Sequence, residues 1–379
     1  MKKNNFTLIL CLACCLWSAC QSSREGGQQA KTPGFTISPT DSVVVLQNSE
    51  VSLAMHLFGG AFTSFVHQRQ PVNPLTWSLA AGQMPENNRQ GAPFRGHFLC
   101  LGRWGSPSAG EIAAGVPHNG EPANSWWKLQ KRDGQAVTVS ATAPLDGLEI
   151  TRKVTLSPVS PVFQVSERVT NTFSLGRPWN MVQHPTIGPP FLTRQTVVQT
   201  SAGAGFMQKW SFPDPGIAAY QWPNGFLDSL KTLPVDLRQM STENYVTTHI
   251  FDEDTTTGWV TAFDPESRLL YGFVWKTTDY PWLNVWNYNQ NGQPFAKGLE
   301  FGTTGIGRPY RDLLMNDTRF NDRASFEYLD AGETAEKSYA CFIMPLPQSF
   351  GELHSITASS QTIYLHGKHT LQLRLAAPL

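Results

Sequence analysis

A single large antiparallel β-sandwich is the architecture that this 379-residue sequence predicts, and three observations carry it. Strand and turn signals alternate from Gly34 almost to the C-terminus, as in Ser42-Val-Val-Val-Leu46, Ala136-Val-Thr-Val-Ser140 and Leu148-Glu-Ile-Thr-Arg-Lys-Val-Thr-Leu156. No stretch carries the apolar period of a convincing amphipathic helix. Glycine and proline are spread through the chain rather than gathered at one junction, so no linker divides it, and no fixed repeat points to a propeller. Antiparallel strands packed face to face satisfy all three.

The chain begins with Lys2-Lys3 and an apolar run from Phe6 to Trp17, too short for the ~20 residues of a membrane-spanning helix, so residues 1–20 read as an export signal. Ser18-Ala19-Cys20 resembles the lipobox of bacterial lipoproteins, with Trp17 where leucine is usual. That resemblance implies lipidation at Cys20 and attachment to a membrane, in the periplasm or, given Gln21 rather than aspartate, at the outer membrane. Residues 21–33, rich in Ser, Gly, Gln and Lys, form a flexible tether, and residues 34–379 form the folded domain. Four of the six cysteines lie in the leader, which leaves Cys100 and Cys341 and excludes a thiolate metal site by count. An oxidising compartment allows either a Cys100–Cys341 disulfide or two buried free thiols.

Composition narrows the ligand. Zero net charge offers no basic surface for nucleic acid. Twelve tryptophans with only 15% charged residues suit a protein that presents flat apolar faces to a hydroxyl-bearing ligand, and a carbohydrate is the natural candidate.

Taken in order, Gly59-Gly-Ala-Phe-Thr-Ser-Phe-Val66 and Gln70-Pro-Val-Asn-Pro-Leu-Thr-Trp77 form a strand and turn at one edge of a cleft. Pro93-Phe-Arg-Gly-His97 and Arg103-Trp104 lead to Gly115-Val-Pro-His118-Asn-Gly-Glu121 and then Trp126-Trp127. A loop His, a nearby Glu and paired Trp supply a donor, an acceptor and a stacking plate for a pyranose, or else a surface loop covers a buried Trp pair. Val162 to Asn171 alternates as a half-buried strand, Gly176-Arg-Pro178 turns the chain back, and His184 ends a second strand, where it can titrate near neutral pH. Thr247–Phe251 and Trp259–Phe263 read as a hairpin around Asp252-Glu-Asp254, whose spacing fails an EF-hand. Tyr280-Pro-Trp-Leu-Asn-Val-Trp-Asn-Tyr288 is an aromatic strand, and in Lys297-Gly-Leu-Glu300-Phe301 alternation turns Leu299 and Phe301 to one face and Glu300 to the other, as a candidate general base.

The order of these landmarks resembles the aldose epimerase (galactose mutarotase) superfamily over most of the mature chain. The resemblance rests on the Gly-rich early strand, the His118-to-Gly120 loop, the strand before His184-Pro185, Gly298-Leu-Glu300, and Tyr328-Leu-Asp-Ala-Gly-Glu333, which is similar to the family's Leu-Pro-Gly-Glu turn with Ala331 for proline. It implies a galactose mutarotase-like supersandwich that interconverts sugar anomers without a cofactor. It implies His184 as general acid, Glu300 as general base and His118 as a sugar ligand. Arg95, Glu121, Trp126 and Trp282 complete the expected binding set, Arg95 in place of the family's Asn-Arg pair. The family's His-Pro pair is usually followed by an aromatic and an Asn, where this chain has Thr186-Ile-Gly188, and the substrate-binding aspartate expected near Thr242-Glu-Asn-Tyr245 is missing. Two rival classes remain: a binding lipoprotein that leans on Trp126, Trp127, Trp282 and Trp286, and a glycan-cleaving hydrolase or lyase, which needs a second carboxylate that only Glu121 offers.

Overall fold

Alternation of apolar and polar side chains builds two antiparallel sheets, of twelve and eight strands, in a computed structural model that describes residues 42–379 apart from 89. Cys20, the leader, the tether and the first residues assigned to the domain lie outside the described residues. In Leu148–Leu156 every second residue is buried, so one face of that strand meets the core and the other meets solvent. The strands Met181–Ile187 and Gln293–Gly302 are different, because their central residues are buried on both faces. They lie side by side within the twelve-stranded sheet, flanked by His97–Leu101 on one side and by Trp282–Gln290 and Tyr245–Ile250 on the other.

One face of these strands packs against the eight-stranded sheet. Leu99, Leu283, Val285, Leu299 and Phe301 meet Phe163, Val260, Phe273 and Trp275 there, and Phe301 stacks on Trp275 with ring centroids 4.3 Å apart. Each fully buried side chain of this size contributes about 1.5–3 kcal/mol. Within the same layer Arg152 Nε donates to Glu167 Oε1 at 2.7 Å, with both side chains fully buried. Gln183 and Tyr280 bond the other carboxylate oxygen, and the Arg152 guanidinium lies 4.5 Å from the Trp127 ring centroid. Gly60, at φ 60°, admits Trp127, since a Cβ there would fall 2.4 Å from the indole. A small three-stranded sheet, Ser355–Ala358, Thr362–His366 and Thr370–Arg374, buries Ile356, Ile363, Leu365 and Leu373 in a second apolar cluster with Leu270 and Phe342.

Several local expectations change in the fold. Thr247–Phe251 and Trp259–Phe263 are not a hairpin: Tyr245–Ile250 pairs with Trp282–Asn287 in one sheet, while Thr257–Asp264 pairs with Leu269–Lys276 in the other. The Asp252 segment is therefore a crossover between sheets. A crossover also replaces the turn at Gly176-Arg-Pro178, because Val162–Asn171 belongs to the eight-stranded sheet and Met181–Ile187 to the twelve-stranded one. His184 consequently sits in mid-strand rather than at a strand end. Cys100 and Cys341 are free buried thiols, which decides between the two alternatives. Cys100 packs with Phe98 and Val182, and Cys341 packs in the inter-sheet core.

Candidate active site

A row of side chains crosses five neighbouring strands on the face of the large sheet that points away from the inter-sheet core. Phe98 pairs with His184, Asn284 with Glu300 and Thr248 with Asn284, and the pairs Val182–Gly302 and Thr186–Gly298 bracket His184 opposite Glu300. Residues two apart on a strand share a face, so His184 and Thr186 point the same way, and Gln183 points into the core. Two residues more than a hundred positions apart in sequence thereby become cross-strand neighbours.

His184 Nε2 lies 3.4 Å from Glu300 Oε1. The other carboxylate oxygen accepts a 2.9 Å hydrogen bond from Trp104 Nε1, which orients the group. Gly298 makes the space for it, since a Cβ there would fall 2.5 Å from Oε1. The His184 ring is fixed by its own contacts: Nδ1 is 3.0 Å from Thr186 Oγ1, and the ring stacks on Phe98 at 4.4 Å and 19°. Trp77 lies parallel beyond it at 6.5 Å, and Trp286 meets it edge-on at 6.1 Å. Along the row, Asn284 and Thr248 satisfy each other at 2.7 Å, with further bonds to Thr304 O and Gly305 O. The strongest unspent polarity in the row is the His184–Glu300 pair.

Burial sets the protonation of that pair. It pushes the Glu300 carboxyl up to about 8, against the opposing effect of the Trp104 hydrogen bond. It pushes the His184 imidazole down to about 3, with a further lowering from His118. The low dielectric thus disfavours separated charges, and near neutral pH the pair rests with one proton, on the carboxyl. Moving that proton across to His184 creates a carboxylate base and an imidazolium acid side by side.

The pair opens into a cavity of about 420 Å³, a volume typical of small-molecule sites. Trp77, Phe98, Trp104 and Trp286 form its apolar walls. His118, Asn119 and Gln208 add polar groups. His118 reaches it from a loop held by Asn88, whose Oδ1 accepts from the His118 amide at 2.9 Å. Burial and the nearby Arg103 charge lower the His118 ring to about 4, so it faces the cavity as a neutral imidazole. Val246, next to the segment expected to carry an aspartate, lines the wall, and Gln208 supplies an amide there, its Nε2 donating to Thr248 Oγ1 at 2.9 Å.

His184, Glu300 and His118 are therefore brought together, and the other expected ligands are not. Arg95 Nη2 donates to the Phe58 carbonyl at 3.4 Å and lies off the cavity. Glu121 caps a turn by accepting from the Leu145 amide at 2.9 Å. Trp126 is 49% exposed and stacks on Phe58, outside the cavity, while Trp127 is core. Trp282 shares a face with Trp286 but is covered by Phe206, Ile306 and Phe320, and its Nε1 donates to the Ala324 carbonyl. Trp286, named only for the binding alternative, is the tryptophan of that strand that meets the cavity. Sequence reasoning passed over Phe98, Gln208 and the role of Trp104. The one local signal was that Trp77 and Trp104 sit in segments rich in turn residues. Glu300 is the sole carboxylate among the described residues that line the cavity, so Glu121 does not provide a hydrolase its second acid.

The two stacked antiparallel sheets have the fold of a galactose mutarotase-like β-sandwich, as the likeness to solved structures shows. Comparison with protein families and with curated proteins finds no match. Among solved structures, the chain is similar to a galactose mutarotase related enzyme of Lactobacillus acidophilus, with TM-score 0.57 and 9% identity over 80% of this chain and 97% of that one. A galactose mutarotase-like protein of Clostridium acetobutylicum gives 0.54 and 14% over 80% and 95%. A candidate aldose 1-epimerase of Escherichia coli K12 gives 0.54 and 12% over 80% and 99%. At such identities the likeness establishes the fold alone.

Proposed function

We propose that the protein is an aldose 1-epimerase-like enzyme that interconverts the anomers of a sugar through His184 and Glu300. The observation that carries this reading is the buried His184–Glu300 pair at 3.4 Å beneath an aromatic-walled cavity. Glu300, as carboxylate, takes the proton of the anomeric hydroxyl while His184, as imidazolium, gives one to the ring oxygen. The C1–O5 bond breaks and the open aldehyde forms. Rotation about C1–C2 and reversal of both transfers closes the other anomer. A sugar hydroxyl bonded to the carboxylate favours the charge-separated form of the pair, which burial otherwise opposes. Each positioned transfer contributes ~10²- to 10⁴-fold. His118 as a neutral imidazole and Asn119 offer hydrogen bonds to the remaining hydroxyls, and Trp77 and Trp286 offer ring faces.

The test is anomeric magnetisation exchange by NMR against hexoses, pentoses and uronic acids. Exchange above buffer that vanishes in both His184→Ala and Glu300→Gln supports the assignment, and exchange retained in both variants ends it. Export and anchoring through Cys20 belong to the same reading: membrane-fraction protein that becomes soluble in Cys20→Ala supports them, and an unlipidated native N-terminus by mass spectrometry overturns them.

A further inference from the structure

Gln208 lines the cavity over His184 and Glu300. That side chain also lines a second cavity, of about 140 Å³, bounded by Phe206, Lys209, Ser211, Phe212, Ile306 and Arg308. Gly307 lines the first cavity and Arg308, next in sequence, lines the second. A Cβ at Gly307 would lie 3.5 Å from Trp104 and 3.7 Å from Gln208 Oε1.

Three features give the second cavity an anionic preference. The Arg308 guanidinium is held over the Phe212 ring at 4.5 Å, and the Lys209 ammonium over Trp210 at 4.5 Å. Neither cation has a carboxylate partner among the described residues, and no carboxylate lines the cavity. The third feature is independent of charge: Ser211 is 1% exposed, lines the cavity, and its Oγ has no hydrogen-bond partner among the described residues. A buried hydroxyl without a partner costs free energy that a ligand oxygen would recover. A liquid water takes up about 30 Å³, so the volume admits one carboxylate, sulfate or phosphate group with a water or two.

Position fixes the size of the ligand. Phe206 pairs with Thr248, Thr248 with Asn284, and Asn284 with Glu300, which places Phe206, one wall of the second cavity, three strand spacings, about 14 Å, from Glu300 across the sheet. That exceeds the span of one hexose bearing a charged substituent. We propose that the substrate is an acidic saccharide of at least two residues, its reducing end over His184 and Glu300 and the anionic group of its next residue held by Lys209, Ser211 and Arg308. The assignment rests on the epimerase reading for the placement of the reducing end.

The experiment uses the full chain and four probes: a disaccharide with a non-reducing uronic acid, its neutral counterpart, and the sulfate and phosphate monoesters of that counterpart. Binding is followed by tryptophan fluorescence and turnover by NMR exchange. The expected result is at least tenfold tighter binding of one or more acidic probes than of the neutral one. The preference falls to within twofold in Lys209→Ala/Arg308→Ala and by several-fold in Ser211→Ala, while neutral binding stays the same. Which acidic probe wins distinguishes carboxylate, sulfate and phosphate. Equal binding of acidic and neutral probes, or a preference that survives in Lys209→Ala/Arg308→Ala, overturns the subsite. If the preference is present and no probe exchanges anomers, the epimerase reading falls and the anionic subsite stands.

Discussion

Two buried carboxylates lie on opposite sides of one strand, and they are treated differently. Behind Met181–Ile187, Glu167 meets Arg152 at 2.7 Å and accepts further bonds from Gln183 and Tyr280. In front of it, Glu300 has one indole N–H and an imidazole at 3.4 Å. Gln183 and His184, adjacent in sequence, serve the two sides. The first carboxylate is compensated by a fixed cation and bonds on both oxygens, so its charge is spent on holding the sheets together. The second is under-compensated, and burial holds a proton on it beside a neutral imidazole. Compensation, more than burial, separates a structural acid from one poised for proton transfer.

The widest separation of the two sides comes from breaking each pair. Arg152→Met leaves Glu167 buried without its cation and should cost about 3–5 kcal/mol in urea unfolding. A loss below about 1 kcal/mol would remove the distinction. On the other side, Glu300→Gln should lower anomeric exchange by ~10²- to 10⁴-fold with the fold intact by circular dichroism. Stability should move the opposite way there. The folded-state value of Glu300 is raised to about 8, so the native state binds more protons than the unfolded chain between about 4.5 and 8. Its contribution is present below 4.5 and is lost as pH rises through 8, and Glu300→Gln removes that loss. The variant should therefore gain on the parent with rising pH, by about 1–3 kcal/mol at pH 7. A difference that is flat with pH would mean that Glu300 ionises freely.

The pH profile sharpens the same contrast. A pair sharing one proton is competent between the second protonation of His184, near 3, and the loss of the shared proton, near 8. Exchange should hold across that window and fall above it, and a profile that rises through pH 9 would count against a shared proton. Trp104→Phe removes the donor to Glu300 Oε2 and should cost about 1–2 kcal/mol, with an alkaline limb displaced upward. The smallest effects belong to the residues that the fold carries away from the cavity. Glu121→Gln and Trp126→Ala should leave exchange within about twofold of the parent, and a tenfold loss in either would mean that the site reaches beyond the cavity.

Much of this was legible along the chain. The alternation in Leu148–Leu156, and the outward turn of Glu300 between Leu299 and Phe301, are recovered as expected, whereas Val162–Asn171 alternates only from Val165 onward, because Val162 to Val165 are buried on both faces. His184, His118 and Glu300, all singled out along the chain, line one cavity. The errors share a cause. Trp282 and Trp286 are indistinguishable by period, being four apart on one strand, and only the Phe206, Ile306 and Phe320 side chains decide that Trp282 is covered. Thr247–Phe251 and Trp259–Phe263 look like partners because a short polar segment joins them, yet each finds its neighbours elsewhere.

Within the clearly alternating segments, such as Leu148–Leu156 and Lys297–Phe301, the chain alone sets which side of the strand each residue takes, because the two-residue period of an extended backbone is local. The tertiary structure alone decided which sheet a strand joins, which face is covered and which is open, and that the indole of Trp104 meets the carboxylate of Glu300, 196 residues away. Those outcomes depend on long-range pairing and packing, whose energies are shared among distant segments and written in no single one of them.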